Sequence, residues 1–275
     1  MRDVAQPDLL TSAAIIPMPW FVRESIRVPD PLQPGRQFLF PADNRHIRKR
    51  ASKIGSKEPG TVSWLHETLR ADDVFYDIGA NVGIYSVFAA ARISRGRVFS
   101  FEPHAANFAV LLRSICLNNM ADRITPLSVA LDEHSGCIDF AYRELRAGST
   151  GSQLATSPLA VEEDRVAVVE LKTTLSIDAM VAAGQIEPAT VIKIDVDGAE
   201  LNILRGMKQL LASRSVRSLQ VEIDPPQNDA IRAWLDQQGY RPVQTHLSRA
   251  GQRYVDGGGA AAAYPWNVIF EPVPA

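Results

Sequence analysis

The chain has 275 residues, 46% of them hydrophobic, with 29 basic and 31 acidic side chains giving a net charge of −2. That length supports one large domain with an extension rather than two full domains, and the near-neutral charge argues against a nucleic-acid binder. Two cysteines, Cys116 and Cys137, without short-range pairing, point to neither a disulfide framework nor a thiolate zinc site, so a reducing cytoplasm is the expected setting.

Residues 1–72 read as an N-terminal extension. The first 44 carry many prolines, among them Pro29, Pro31, Pro34 and Pro41, and predict an irregular arm. Within it Leu9 to Phe21 is fairly apolar, but Pro17 and Pro19 interrupt it and only Arg2 precedes it, a poor pattern for a secretory signal. No apolar run is long enough to span a membrane. A basic cluster follows, Arg45, His46, Arg48, Lys49, Arg50 and Lys53, which reads as a solvated helix face; a functional version would grip an anionic acceptor such as a phosphorylated or carboxylated sugar. A helix is predicted over Thr61 to Arg70.

From Asp73 strands and helices alternate, the pattern of a mostly parallel sheet covered by helices on both faces. Predicted strands are Val74 to Ile78, Arg97 to Phe101, Ile124 to Leu131, Val191 to Ile194, Leu219 to Ile223, Pro242 to Thr245 and Trp266 to Phe270. Predicted helices are Val82 to Ile93, one after Pro103 with a stripe of Phe108, Leu111, Leu112 and Ile115, then Ile177 to Ala183, Ala199 to Ala212 and Asn228 to Gln238. Residues 136–176 break the rhythm. There Cys137 to Tyr142 and Val166 to Thr173 read as a β-pair flanking a Gly/Ser-rich segment, Gly148 to Ser157, inserted over the sheet's edge. The glycine-alanine run Gly257 to Ala263 reads as a mobile flap.

The chemistry concentrates at strand ends. In Asp77-Ile78-Gly79-Ala80-Asn81-Val82-Gly83, Gly79 removes a Cβ at a tight turn near a ligand, and Gly83 lets the next helix pack closely. Glu102, about 20 residues further on, closes a second apolar run where a carboxylate can accept both hydroxyl protons of a ribose. A dinucleotide fingerprint needs a third glycine, and Asp77 would repel a pyrophosphate. S-adenosylmethionine, with an ammonium, a sulfonium and no phosphate, suits Asp77 better. The bland alternative makes Asp77 a helix cap, a role Asn81 fills equally well. Further along, strand periodicity puts Lys193, Asp195 and, if the strand continues, Asp197 on one face. Four acids, Asp77, Glu102, Asp195 and Glu222, thus end or nearly end apolar strands, where open α/β sheets bind ligands.

These residues, with Phe101-Glu102-Pro103 and Asn107, Val129-Ala130-Leu131, Lys193-Ile194-Asp195-Val196-Asp197-Gly198-Ala199-Glu200, Val221-Glu222 and Asn267, resemble the FkbM-type methyltransferases over about residues 73–272. The family more often has Glu where Asp197 stands. The resemblance implies a class I, Rossmann-like three-layer α/β sandwich in residues 73–275, with a mostly parallel seven-stranded sheet whose last strand is antiparallel. It also implies S-adenosylmethionine-dependent methylation, usually of a hydroxyl on a sugar, glycolipid or secondary metabolite. Carried over by position, Asp77, Gly79, Asn81 and Gly83 would hold the methionine end of the donor, Glu102 the ribose, and Ala130 and Leu131 the adenine. Asp195 would lie near the donor's amino group and the methyl, and with Glu222 would bound the acceptor pocket. Candidate bases are Asp195, Glu222 and His104 in that order, with His246 a weaker fourth. Asp195 and Asp197 could instead hold Mg²⁺, but Lys193 on the same face disfavours that, so no metal is expected. The rival readings are an NAD-type oxidoreductase, a cofactor-binding module without catalysis, and an N- or C-methyltransferase. A small-molecule, saccharide or lipid-linked acceptor is the expected partner.

Overall fold

The computed structural model describes residues 24–157 and 165–274, so the apolar stretch Leu9 to Phe21 lies outside the described residues. Over its described part the proline-rich arm is a hairpin, not irregular chain: β1 (Ser25–Pro29) pairs antiparallel with β2 (Gln37–Pro41). Pro29 and Pro41 end the two strands and Pro31 and Pro34 lie in the connection, so the prolines punctuate the strands rather than preclude them. Phe38 and Phe40, two residues apart, bury one face of β2. Next come α1 (Arg45–Ala51), capped by Asn44 Oδ1 accepting from the His46 and Ile47 amides at 2.8 and 3.0 Å, and α2 (Pro59–Thr68) with Pro59 in its first turn.

The alternation then runs β3 (Val74–Ile78), α3 (Ile84–Ala90), β4 (Arg97–Phe101), α4 (Ala105–Leu117), β5 (Ile124–Leu127), β6 (Ala130–Leu131), β7 (Gly136–Tyr142), β8 (Gln153–Leu154), β9 (Val168–Leu175) and α5 (Ile177–Ala182). It continues with β10 (Val191–Ile194), α6 (Glu200–Arg205), α7 (Lys208–Ala212), β11 (Ser218–Ile223), α8 (Asn228–Gln237), β12 (Tyr240–His246), α9 (Arg249–Asp256) and β13 (Trp266–Pro272). Seven strands form one sheet in the order β5-β4-β3-β10-β11-β13-β12. Only β13 runs antiparallel to its neighbours; every other pairing is parallel. The fold is therefore the expected three-layer α/β class I methyltransferase architecture, with its antiparallel last strand inserted beside β11.

Period-two alternation splits the core between the two faces. Tyr76, Ile78, Phe99, Phe101, Ile192, Ile194, Leu219 and Val221 pack against α5 to α8, while Phe75, Val98, Ile124, Val191 and Ile269 pack against the hairpin and α1 to α4. The pair predicted within residues 136–176 forms as β7 against β9, with Cys137 opposite Thr173, in a four-stranded sheet ordered β6-β9-β7-β8.

Four expectations change. The third strand is cut in two after Leu127: β5 stays in the main sheet, and Ala130 and Leu131 cross to pair with β9. The helix expected over Ala199 to Ala212 breaks at Gly206, where a Cβ would run into the Asp132 carbonyl. Leu112 is exposed rather than part of the α4 stripe, which is carried by Val110, Leu111 and Ile115. The segment read as a flap, Gly257 to Ala263, follows an unexpected helix, α9, and carries a tight turn at Ala261–Ala263 held by the Trp266 indole N–H on the Ala261 carbonyl at 2.9 Å.

Candidate active site

The strand order reverses between β3 and β10, since the chain builds outward from β3 towards β5 and then returns to start the other half at β10. Diverging connections leave a crevice at the carboxyl ends of these strands. A cavity of about 320 Å³ opens there, lined by the residues that follow β3, β4 and β10, by Glu222 of β11, by Tyr85 of α3, and by Lys53 and Lys57 between α1 and α2. Ser149 and Thr150 of the inserted segment close one side.

On the β3–β4 side the backbone makes the binding geometry. Gly79, Asn81 and Gly83 have φ of +80°, +51° and +86°, so the turn winds through left-handed conformations that glycine adopts without strain. The reasons for the two glycines are packing ones: a Cβ on Gly79 would strike the Asp195 carbonyl at the end of β10, and one on Gly83 would press on Leu111 of α4. Gly83, not Asp77 or Asn81, is the cap residue of α3. This turn aims the Asn81 N–H at Glu102 Oε2, at 2.6 Å, and from the segment after β4 the His104 N–H donates to Oε1 at 2.8 Å. Burial nevertheless pushes the Glu102 carboxyl up to about 7, against these two amides, which favour its anion. The Asn81 amide nitrogen donates to the Ser149 carbonyl at 2.9 Å, while its Oδ1 is buried with no donor. Beside Glu102 a narrow apolar slot of about 50 Å³ is lined by Ile78, Phe101, Ala130, Leu131 and Ala199, and it shares Gly79 and Pro103 with the main cavity.

Asp77 lies outside the cavity lining. It is fully buried beneath it, accepting from the Ser86 hydroxyl at 2.5 Å, with the Lys193 ammonium 4.0 Å from its other oxygen. Strand register explains the arrangement: Ser100, Asp77, Lys193 and Gln220 are direct neighbours across β4, β3, β10 and β11, forming one polar row inside the sheet. Ser86 links Asp77 to the Ser100 hydroxyl, and Gln220 donates to Thr61 Oγ1 and Asn267 Oδ1 at 3.1 and 2.9 Å. Pairing along the row satisfies most of its polar atoms, but Asp77 Oδ1, Gln220 Oε1 and Asn267 Nδ2 are buried without a hydrogen-bond partner among the described residues.

Lys193 also reaches up to Asp195, its ammonium 2.8 Å from Oδ2. Together with Lys57 it holds the Asp195 carboxyl far below the usual range despite burial. Glu222 is hydrogen-bonded to Asp195 and is driven the other way, first by burial and then by the Asp195 charge. Two adjacent carboxyls therefore share one proton, with Asp195 the anionic member. Asp197 is not on this face, because β10 ends at Ile194; it turns to accept from the Gly151 amide at 2.7 Å, and burial pushes it up to about 6.

His104 lines the cavity but is committed to structure, which corrects its place among the candidate bases. It caps α4 through Nδ1, which accepts from the Asn107 amide at 3.4 Å, while Nε2 lies 2.7 Å from the Glu144 carbonyl. Neither ring nitrogen is left for a hydroxyl proton. His246 is bonded to Thr61 at 3.2 Å and does not line the cavity.

Three cavity residues that escaped the sequence reading are Lys57, Tyr85 and Ser149. Tyr85 donates to the buried Glu58 carboxylate at 2.8 Å and lies 4.9 Å beneath the Lys193 ammonium; Glu58 also pairs with Lys57. Ser149 is carried by the insertion. Only the apolar spacing of α2 hinted that Lys57 and Glu58 stand at a helix start, and nothing local pointed to Ser149.

Parts of the chain are similar to known proteins. A 166-residue stretch is 28% identical to the hexuronic acid methyltransferase AglP of Haloferax volcanii, covering 60% of this chain and 62% of that protein. A 165-residue stretch is 26% identical to the 31-O-demethyl-FK506 methyltransferase FkbM of Streptomyces tacrolimicus, covering 51% and 61%. The chain thus spans less than two thirds of the length of these relatives. Among solved structures, methyltransferase FkbM from Methylobacillus flagellatus aligns with a TM-score of 0.46 at 18% identity, over 74% of this chain and 45% of that one. The model of the Methyltransferase FkbM domain matches residues 77–242, a span that begins at Asp77 and contains Glu102, Asp195 and Glu222, and the chain belongs to the FkbM methyltransferase family.

Proposed function

We propose that this chain is an S-adenosylmethionine-dependent methyltransferase acting on a hydroxyl of a sugar, glycolipid or secondary metabolite. One observation carries the reading: Glu102 and the Asp195–Glu222 pair line a single cavity at the switch point, with an apolar slot beside Glu102. The residues present fit the donor. Glu102 is a buried acceptor for a ribose diol, the slot at Ala130 and Leu131 suits a flat apolar ring, and the orphaned Asn81 Oδ1 awaits a donor such as an ammonium. Asp77 acts from below, through Lys193, rather than on the ligand. When bound, the donor supplies a methyl group on a positively charged sulfur. The chain's own part is to hold the acceptor hydroxyl against that methyl and to take its proton. The coupled Asp195–Glu222 pair, one member anionic and the other protonated, is the acceptor for the proton, as a unit rather than through Asp195 alone. Alignment alone supplies effective molarities of about 10⁵ M or more.

AglP is named for a hexuronic acid, a carboxylated sugar, which supports a saccharide acceptor here. The test is transfer of tritiated methyl from S-adenosylmethionine into polar and lipid extracts by the full chain. Label appearing in a base-stable, carbohydrate-containing product is the expected result. Label entering amines only, or no label with tight donor binding, would replace this reading with N-methylation or a non-catalytic module.

A further inference from the structure

A second hollow, of about 620 Å³, adjoins the cavity and shares Arg50, Lys53, Lys57, Ser149 and Thr150 with it. Its wall is one-sided in charge. Lys49, Arg50 and Lys53 come from α1 and the turn after it, Arg143 from the insertion, and Arg249 and Arg253 from α9, while Glu144 is the one acid among its lining residues. The segments are fastened together there: the Arg249 amide donates to the Lys57 carbonyl at 2.8 Å, and Arg50 Nε donates to the Gly148 carbonyl at 2.7 Å. Yet the side chains of Lys49, Lys53, Arg143, Arg249 and Arg253 make no ion pair or side-chain hydrogen bond among the described residues, and all five are exposed. A chain of net charge −2 has therefore gathered unneutralised cations from three distant stretches at the mouth of its active site. Their summed charge gives the hollow a positive potential that favours an anion there.

We infer that this groove binds a phosphate or diphosphate ester on the methyl acceptor, so that the enzyme works on a phosphorylated or diphosphate-linked sugar. The inference rests on the methyl-transfer reading above. A single carboxylate would be satisfied by one arginine fork, whereas cations spread around a hollow suit a group with several anionic oxygens. The hollow has the size of a small-molecule site, while sequence-specific nucleic-acid interfaces spread over 1,000 Å² or more of protein surface, roughly. Lys57 stands where the two spaces meet, so an anchored phosphate would leave the sugar within reach of Asp195.

The test titrates the full chain with inorganic pyrophosphate and, separately, with S-adenosylmethionine, by calorimetry at low salt. Arg143→Gln/Arg249→Gln/Arg253→Gln is the main variant, and Lys49→Gln/Arg253→Gln is a milder second one should the first misfold. Pyrophosphate should bind the wild type, weaken with added salt, and lose about tenfold in affinity per cation removed, with donor affinity unchanged. Two further arms identify the source: a soluble nucleoside-diphosphate sugar, and phosphatidylcholine vesicles doped with a polyprenyl phosphate. Binding of either, lost in the variants, supports the groove and names its ligand. Pyrophosphate affinity that is absent in the wild type, or equal in wild type and variant, overturns the inference while leaving donor binding to judge the methyltransferase reading separately. Tighter binding of a single-stranded RNA than of any of these, lost in the same variants, overturns it in favour of a nucleic-acid surface.

Discussion

Glu102 concentrates the electrostatic problem of the site in one side chain. Its two amide donors favour the anion, but burial wins and the carboxyl sits at about 7 in the ligand-free chain. A ribose diol needs the anion as acceptor, so donor affinity is expected to fall about tenfold per unit as pH drops below 7. Glu102→Gln should weaken donor binding by roughly 2–3 kcal/mol and abolish that pH dependence, which calorimetry at pH 6, 7 and 8 measures directly. Asp195 carries a different role. Asp195→Asn keeps the shape and removes the anion, so turnover should drop about 10²- to 10⁴-fold, and the unfolding temperature should fall as well, because buried Lys193 loses its nearer partner. Equal turnover in this variant would remove the Asp195–Glu222 pair as the proton acceptor.

At the scale of elements, the turn after β3 and the polar row inside the sheet set the stability of the site. Gly79→Ala forces a left-handed alanine and drives its Cβ into the Asp195 carbonyl, and a loss of about 2–4 kcal/mol is expected in denaturant unfolding. Asp77→Ala strands Lys193 with Asp195 alone and leaves Ser86 without its acceptor, a loss of about 3 kcal/mol; its effect on donor binding should follow from this loosening and not from a lost ligand contact. The elements themselves were legible in the sequence wherever periodicity was strong: β3, β4 and β10 begin and end where the apolar runs do. What the sequence hid was tertiary. The break at Gly206 depends on Asp132 approaching from a distant loop, and the switch of Ala130 and Leu131 into the second sheet depends on β9, 40 or so residues away, which local pattern cannot report. The hairpin β1–β2 was masked by prolines that only its geometry shows to be terminators.

For the molecule as a whole, several buried acids bias the folded state towards holding protons. Glu200 is pushed up to about 8 by burial, though it accepts from the Gly198 amide and from Gln227 Nε2. Glu102 at about 7 and Asp197 at about 6 behave alike. A carboxyl raised above its unfolded value adds stability that is complete below the unfolded pKa of about 4 and is lost as pH rises through the folded one. Between pH 5 and 8, Glu200→Gln should therefore flatten the fall in unfolding temperature relative to wild type, measured at matched pH so that other titrating groups cancel. The same crowding of acids around one cavity was the part of the site most readable from sequence, because Glu102, Asp195 and Glu222 each close an apolar strand. The cations that face them were legible only in part: Arg50 and Lys53 belong to the basic cluster whose functional reading was a grip on an anionic acceptor, whereas Lys57, and the way α1 reaches the cavity, depend on the packing of the N-terminal hairpin and helices. Titration of the full chain with S-adenosylmethionine, wild type against Glu102→Ala, bears most directly on the whole account. Saturable binding that is lost in the variant is the expected result; no binding to the wild type, or equal binding to both, contradicts it.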